Sequence, residues 1–424
     1  MKKVVLLLVM AIAVFANTSI DEFKKLKAPY GVTDEKGRTY YYGEAVVSVN
    51  PNDPTYVKEI SLAYEKAMLT MQADFILQTY GKESVKKIYE SFEDDSSNAN
   101  EFPPIKEAED MARKGKLAII MDKFLDVVQN SLDKKLIEQG VSPDELKKLS
   151  IEQKKQLFKD NFTKITTKKA FQSMMGLVPR YVKIGQKGGA TVVAVIAVQS
   201  PKTIQFAKDI AKKRVSNVKG KPRKLSDLLP KTVEEYTQEI GLRYTYDEKG
   251  RPMLLSYGLW SVTNKTKSVS RRLKKINNAK RKARMQAESY IGDFIKTNIQ
   301  AVEKSEQSSI DEEVAKKITT LGSGSKDVQE VQEEIKETID KYFKTFKATS
   351  NFDLRGTNEV RNWDYKDKNG LLYVGSVVTW SYNQLENVNN YVEMTKNKPK
   401  EKVEQKATVI IEKQSRDIND DDDF

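Results

Sequence analysis

The sequence contains no cysteine and no histidine. Without cysteine there is no disulfide, no thiol nucleophile, no iron–sulfur cluster and no Cys/His zinc site. Without histidine, Ser-His-Asp and Cys-His catalysis lack their proton shuttle. We therefore expect a protein that is not an enzyme and that holds no metal or cofactor. A hydrolase that uses carboxylates alone stays open, because a catalytic pair cannot be selected among 60 acidic residues without geometry.

Long apolar runs are also scarce, and the one in the first sixteen residues suggests a targeting signal. Lys2 and Lys3 precede an apolar stretch over 4–15, and Val14 and Ala16 present small residues for cleavage, which is typical of a signal peptide at 1–16. The alternative is a buried strand or helix. No later run approaches the length of a transmembrane helix, and the lack of cysteine excludes lipidation. The sequence predicts an exported protein of the periplasm or cell surface.

Positive charge is concentrated in one segment. The net charge is +13, and residues 265–284 contain ten basic residues and no acidic one. Such a single-sign stretch indicates an anionic counterpart. In an exported protein we expect anionic lipid, polysaccharide or an acidic envelope protein rather than nucleic acid. The candidate binding residues are Lys265, Lys267, Arg271, Arg272, Lys274, Lys275, Lys280, Arg281, Lys282 and Arg284.

The alternative for this segment is a solvated helix face, partly neutralised by Asp420–Asp423 near the C-terminus. In either interpretation Leu273 and Ile276 are expected to face the core, with the basic residues on the solvated side. The sequence identifies neither the partner nor the oligomeric state, and a homo-oligomer is allowed.

An internal duplication organises the chain. Asp34-Glu-Lys-Gly-Arg38 recurs as Asp247-Glu-Lys-Gly-Arg251, and Tyr42-Gly43 recurs as Tyr257-Gly258. Further matches pair Met71-Gln-Ala73 with Met285-Gln-Ala287, Gly176 with Gly356, and Val192–Ser200 with Leu372–Ser381. Since the order is kept and the offset changes once, the sequence predicts two copies of one domain.

Each copy shows the same order of patterns. Two strands around a Lys-Gly turn are followed by a long amphipathic helix, a second helical region, a hairpin and a short helix. The predicted fold class is therefore α+β, with two tandem copies of a helix layer on a small antiparallel sheet, β-β-α-α-β-β-α. We expect an N-terminal lead at 17–28, domain A at 29–214, a linker at 215–241, domain B at 242–394 and a polar tail with an acidic end at 395–424.

These residues resemble a family of envelope modules. Tyr42-Gly43, Met71-Gln-Ala73, Gly176 and Val192–Ser200, with their partners in copy two, are similar to the domain of LPP-type envelope lipoproteins and to the N-terminal domain of flagellar assembly protein T. The whole chain also resembles uncharacterised exported bacterial proteins. The resemblance implies a non-enzymatic structural or interaction component of the cell envelope, and it supplies no catalytic residue. The alternative is a module that binds anionic lipid or polysaccharide through 265–284.

Three weaker motifs have simple explanations. The Gly322–Lys326 stretch looks like a phosphate loop but lacks its spacing, so a helix connector is expected. Glu93-Asp-Asp95 lacks the alternating ligands of a calcium loop. The aromatic residues at 40–42 and the three tryptophans are expected in strands and core, with a ligand-binding ledge as the alternative.

Overall fold

The computed structural model describes residues 19–93, 102–262, 268–302, 308–322, 326–349, 355–368 and 370–396. The predicted signal peptide, nearly all of the polar tail, and Lys265 and Lys267 lie outside the described residues. The fold is α+β, as predicted, with helices packed on two antiparallel sheets.

Helices outnumber strands along the described chain. The helices are α1 (Ile20–Lys25), α2 (Tyr56–Glu93), α3 (Ile105–Arg113), α4 (Leu117–Val127), α5 (Leu132–Glu138), α6 (Pro143–Leu146), α7 (Ile151–Ser173), α8 (Pro201–Ala211), α9 (Leu225–Leu228), α10 (Val233–Tyr236), α11 (Val269–Val302), α12 (Ser308–Gly322), α13 (Val328–Thr349) and α14 (Tyr382–Lys396), with a 3₁₀ turn at Gln129–Ser131. The strands are β1 (Thr39–Val46), β2 (Val178–Lys187), β3 (Ala190–Gln199), β4 (Gly241–Tyr246), β5 (Pro252–Val262), β6 (Thr357–Lys366) and β7 (Leu372–Ser381).

The two sheets repeat one topology. The first has the strand order β1-β3-β2 and the second β4-β5-β7-β6, with antiparallel neighbours throughout. A long helix follows β1 and β5 alike, and a short helix follows β3 and β7. The sheet of copy one therefore has the strand arrangement of the sheet of copy two, except that it lacks an equivalent of the edge strand β4.

That missing strand is a correction to the sequence prediction. Strands were expected on both sides of the Lys36-Gly37 turn, but before the turn only Thr33 forms an isolated bridge, to Thr39. Pro29 has no N–H to donate, and Gly31 adopts a φ of 73°, so the segment cannot continue as a ladder. The strand after the turn, β1, ends at Val46.

A shared irregularity supports the duplication. The β2–β3 ladder shifts register between Pro179 and Tyr181, and the β6–β7 ladder shifts between Glu359 and Arg361. The residue that the ladder skips, Arg180 in one copy and Val360 in the other, lies four positions after the matched glycine, Gly176 or Gly356. Because a bulge re-aims a strand at one point, its recurrence indicates a common ancestral strand.

Each long helix crosses its sheet at a glycine. A Cβ placed on Gly43 would lie 2.1 Å from the carbonyl oxygen of Ala67, and one on Gly258 would lie 1.8 Å from that of Ala283. Only glycine permits such a close approach of helix and strand. The Tyr-Gly match in the sequence thus marks a helix–sheet contact.

The Met-Gln-Ala match, in contrast, does not pair equivalent positions. Met71 is fully buried one turn after Ala67, whereas Met285 is 61% exposed. Ala287 is the residue that stands one turn after Ala283 and is buried there. In the structure the equivalent of Met71 is therefore Ala287, two residues after the Met285 that the sequence match pairs with it.

The additional residues of copy one form a separate helical layer. Helices α3 to α6 pack on the C-terminal half of α2 and on the start of α7. Val85 and Ile88 of α2 meet Phe124 and Leu125 of α4 in this layer, and all four are buried. The layer has its own core, distinct from the core beneath the sheets.

The two copies share their main core. The Phe206 ring of α8, in copy one, lies 5.3 Å from Tyr244, 6.1 Å from Phe294, 6.0 Å from Trp380 and 6.3 Å from Tyr382, all in copy two. Helix α13 of copy two packs in turn on α2 of copy one. A helix of each copy therefore packs on the other copy, and the two copies are not separate units joined by a linker.

The segment 215–241, expected as a linker, is packed into this arrangement. It contains the short helices α9 and α10, and Tyr236 and Ile240 are almost fully buried. The Gly220 N–H donates to the Gly250 carbonyl at 2.9 Å. The connection is irregular around Gly220, as the sequence predicts, but it is fixed by both copies.

Candidate functional site

Helix α11 carries the predicted basic site, and its surroundings change along its length. From Ala279 onward its apolar face is buried on β5 and β7. Val262 ends β5 opposite Leu372, and the helix continues past this edge toward its own N-terminus. Ile276 follows Val269 by seven positions, which is a length of about 10 Å along the helix axis. The first turns of α11 therefore project from the body, and we call residues 269–284 the basic arm.

The apolar stripe of the arm is uncovered, which corrects the expectation that Leu273 faces the core. Leu273 is 54% exposed and Val269 is 60% exposed, while Ile276 is half-buried. The three residues continue the helix face of Ala283, since they recur at spacings of three and four. The sheet ends before it can cover them, so the described chain leaves an apolar strip in solvent.

Four predicted cations stand beside this strip, and none of them forms an ion pair with another residue that the structure describes. Arg271, Arg272, Lys274 and Lys275 are exposed. Among the described residues, no acidic side chain lies within ion-pair distance of any of them. Arg281 is exposed as well, and its guanidinium donates to the Asn278 side chain at 3.4 Å.

The other predicted cations near the end of the arm are engaged with the second sheet. Lys280 pairs with Asp364 at 3.0 Å. Arg284 pairs with Glu359 of β6 at 3.7 Å and with Glu288 of its own helix at 2.9 Å, and the hydrogen bond to Glu288 raises the pKa of the guanidinium further. The Lys282 ammonium lies 5.0 Å from the centre of the Trp260 ring, as in a cation–π contact. The structure thus splits the ten predicted residues into an available group, a group held by the body, and two outside the described residues.

The remaining motifs behave as structural features where they are described. Trp363 and Trp380 are buried, as are Tyr40, Tyr41 and Tyr42. Residues 323–325 and 94–95 lie outside the described residues. Within the part of the chain that is described, no three acidic side chains are placed to hold a metal ion. In the same part, no helix is both long and apolar enough to cross a membrane.

Sequence reasoning missed a cavity of about 210 Å³ in the helical layer. It lies between α2, α4, α7 and α12, and its wall combines apolar groups such as Leu77 and Met121 with the Asp74 carboxyl and the Tyr80–Thr163 hydroxyl pair. Burial raises the pKa of Asp74 to about 6, although the Gln78 amide donates to its carboxylate at 2.6 Å. No spacing in the sequence signals this cavity, because its wall is assembled from helices far apart in the chain.

Comparisons with known proteins identify the fold and leave the activity open. A domain of unknown function, DUF6844, matches residues 117–212, which run from α4 to the end of α8. The chain is similar to the crystal structure of hypothetical protein FTT1539c from Francisella tularensis, with 21% identity and a TM-score of 0.51 over 85% of this chain and 86% of that one. A search of curated proteins gave no match. The likeness to the Francisella protein supports the arrangement of both copies.

Proposed function

We propose that the protein is an exported, non-enzymatic interaction component of the bacterial envelope that binds anionic lipid surfaces through the basic arm. The observation that carries this proposal is the uncovered apolar strip of Val269 and Leu273 beside four cations that form no ion pair within the described chain. A helix with an apolar face and a basic face lies naturally in the headgroup region of a bilayer. The proposal thus rests on the exposed apolar strip and the exposed positive charges of one helix, α11.

Lipid is favoured over a purely ionic ligand because the exposed side chains are not all charged. Each basic residue near an anionic membrane surface contributes about 1 kcal/mol. Covering the exposed half of Val269 and Leu273 adds about 1 kcal/mol each, by area. An anionic polysaccharide would use the charges but leave the apolar strip in water.

Charge reversal tests the proposal directly. We expect that replacing Arg271, Arg272, Lys274 and Lys275 by Glu lowers the affinity for phosphatidylglycerol vesicles by at least about a thousandfold, the equivalent of four contacts of about 1 kcal/mol. Co-sedimentation with vesicles measures this loss. Wild-type binding should also weaken steeply between ~0.05 M and ~0.5 M salt, since exposed charges are screened within about 8–10 Å at physiological ionic strength.

A matched control separates the arm from net charge. The quadruple variant of Lys106, Lys114, Lys148 and Lys212 to Glu changes the net charge equally at exposed positions away from the arm. It should retain most of the vesicle binding. Equal loss in both variants, or no loss in the arm variant, would contradict the proposal.

The acidic tail and export have their own tests. If Asp420–Asp423 occupies the arm, replacing these four residues by Asn should strengthen vesicle binding, and the tail rather than lipid would then be the resting partner. If the predicted signal is cleaved, the exported protein begins at Asn17. N-terminal sequencing that finds Met1 on envelope material would remove the export part of the proposal.

A further inference from the structure

The outer edge of β1, on the side away from β3, carries main-chain groups that no described strand pairs with. At the start of this edge the Gly31 N–H donates to the Tyr40 carbonyl at 2.9 Å. Residues two positions apart in a strand direct their N–H and C=O groups to the same edge, so Tyr42, Glu44 and Val46 direct theirs outward as well. Within the described part of the chain, no main-chain hydrogen bond reaches these three residues from that side. Beyond Tyr40 the edge is therefore open.

The equivalent edge of copy two is closed. Strand β4 pairs along β5 as far as Tyr257. The next outward residue is Leu259, whose N–H donates to the Gln286 side chain at 2.9 Å and whose carbonyl accepts from the Ser61 hydroxyl at 3.3 Å. Leu259 follows the glycine at which α11 crosses β5, and Glu44 follows the one at which α2 crosses β1. Proteins block such edges because unpaired N–H and C=O groups attract another strand. In the part of copy one that the structure describes, neither device is present at Glu44.

The surroundings of the open edge favour a further strand. Val46 is 56% exposed, and Val32, beside the start of the open stretch, is 42% exposed. Glu44 is the charged residue among the three outward ones, and Lys187 pairs with its carboxylate at 2.6 Å. Exposed unpaired charges, lysine above all, are a common means of keeping a second strand off an edge. The stretch from Tyr42 to Val46 is therefore suited to accept an extended apolar segment.

The chain beyond α14 contains a segment with the matching chemistry. Residues 397–424 are mostly polar, but Ala407-Thr-Val-Ile-Ile411 is a run of five residues of which four are β-branched. Such residues favour strands. The connection from Lys396 to Ala407 spans at most about 36–40 Å when extended. A tether of this kind holds a segment near the fold at about millimolar effective concentration, which favours it over a free partner.

We propose that residues 407–411 add as a strand to the outer edge of β1 in the same molecule. Main-chain hydrogen bonds to Tyr42, Glu44 and Val46 would supply the binding, as in other cases of strand addition. Alternate side chains of the segment would cover Val32 and Val46. The inference goes beyond the proposed function, because it concerns a contact between the tail and copy one and shares no residue with the basic arm.

Hydrogen exchange of individual amides tests the added strand. In the full-length protein the amides of Tyr42, Glu44 and Val46 should exchange slowly, because the segment accepts hydrogen bonds from them. Val409→Pro removes a donor from the middle of the segment, where a ladder does not tolerate proline. It should speed exchange at these three amides at least about tenfold, while the alternate amides that face β3 stay slow. Mass spectrometry with fragmentation to single residues measures both sets.

A second proline variant is the matched control. Glu404→Pro places the same residue in the polar part of the tail and should leave the exchange of all β1 amides as in wild type. Fast exchange of the Glu44 amide in wild type would overturn the proposal. Protection that Val409→Pro leaves unchanged would do the same, because another group would then cover the edge.

Cysteine pairs identify the molecule that donates the strand. The chain has no cysteine, so Val46→Cys combined with one cysteine at each of positions 407–411 in turn yields a single pair of thiols per molecule. We expect at least one pair to form a disulfide within a monomer on oxidation, which non-reducing electrophoresis and mass spectrometry detect. Disulfide-linked dimers alone would place a second copy on the edge and overturn the assignment to the same molecule. An absence of cross-links in all five pairs would contradict the added strand.

Discussion

Asp34 and Asp247 hold two turns in the same way but at different depths. Each accepts hydrogen bonds on one carboxylate oxygen from the main-chain N–H groups two and four residues later, and on the other from the arginine side chain four residues later. The distances lie between 2.8 and 3.1 Å in both turns. The Asp34 side chain is 34% exposed and that of Asp247 is 14% exposed. The aspartate of the repeated turn is thus more deeply buried in copy two.

This difference predicts unequal effects of the same substitution. Asp247→Ala should lower the free energy of unfolding by about 2–4 kcal/mol, because it leaves the buried Arg251 with Glu386 as its remaining ion-pair partner. Asp34→Ala should cause a clearly smaller fall in Tm, since solvent replaces the lost bonds. Thermal unfolding of the two variants measures both effects. Equal falls in Tm would contradict the depth argument.

Asp74 predicts a pH dependence of stability. Burial raises its pKa from 3.8 to about 6 in the folded protein. Below pH about 4 both states bind the proton. Between pH about 4 and 6 only the folded state keeps it, so stability falls as pH rises through this window and stays lower above it. Asp74→Asn should therefore be about 3 kcal/mol more stable than wild type at pH 7, with little difference near pH 4.

Urea unfolding at several pH values measures the effect of Asp74. The exposed Asp144→Asn serves as the control and should leave the pH profile of wild type unchanged. An Asp74→Asn profile parallel to wild type across pH 4–7 would show that burial does not dominate this carboxyl.

The helix crossing at Gly258 predicts a strong glycine requirement. Gly258→Ala places a methyl group against the Ala283 carbonyl, so α11 must move away from β5 at a cost of about 1–3 kcal/mol or more. Gly81→Ala is the matched control, because the nearest atom to its Cβ would be the Ala112 methyl at 3.2 Å and a helix favours alanine. Thermal unfolding should separate the two variants. A stable Gly258→Ala protein would contradict the close crossing.

The apolar strip of the arm predicts a loss of binding without a loss of stability. Val269→Ser together with Leu273→Ser should weaken vesicle binding about thirtyfold, because the burial of each apolar side chain in the bilayer contributes about 1 kcal/mol. Tm should stay within about 2 °C of wild type, since both side chains are more than half exposed. The same substitutions at the buried Ala283 and Ala287 would lower Tm. Unchanged vesicle binding in the double variant would leave charge alone as the driving force.

The sequence predicted well what depends on local chemistry. The Asp-Glu-Lys-Gly-Arg turns and the late hairpin of each copy follow from glycine geometry and β-branched residues, and all are present. The basic arm was also visible, because ten like charges in sequence need no tertiary information. In contrast, Leu273 was placed in the core because periodicity says which face a residue shares but not where the sheet ends. The cavity lined by Asp74, Met121 and Thr163 could not be predicted at all, since its wall comes from helices far apart in the chain.

The packing of each copy on a helix of the other has a consequence for how the chain is made. Phe206 leaves the ribosome well before Tyr382, which follows it by 176 residues and completes its aromatic surroundings. At about 5–20 residues per second, synthesis leaves this ring without its cover for about 10–35 s. The first half must therefore be kept from aggregating until the second half arrives, and a stop codon after copy one would yield a product with an open core.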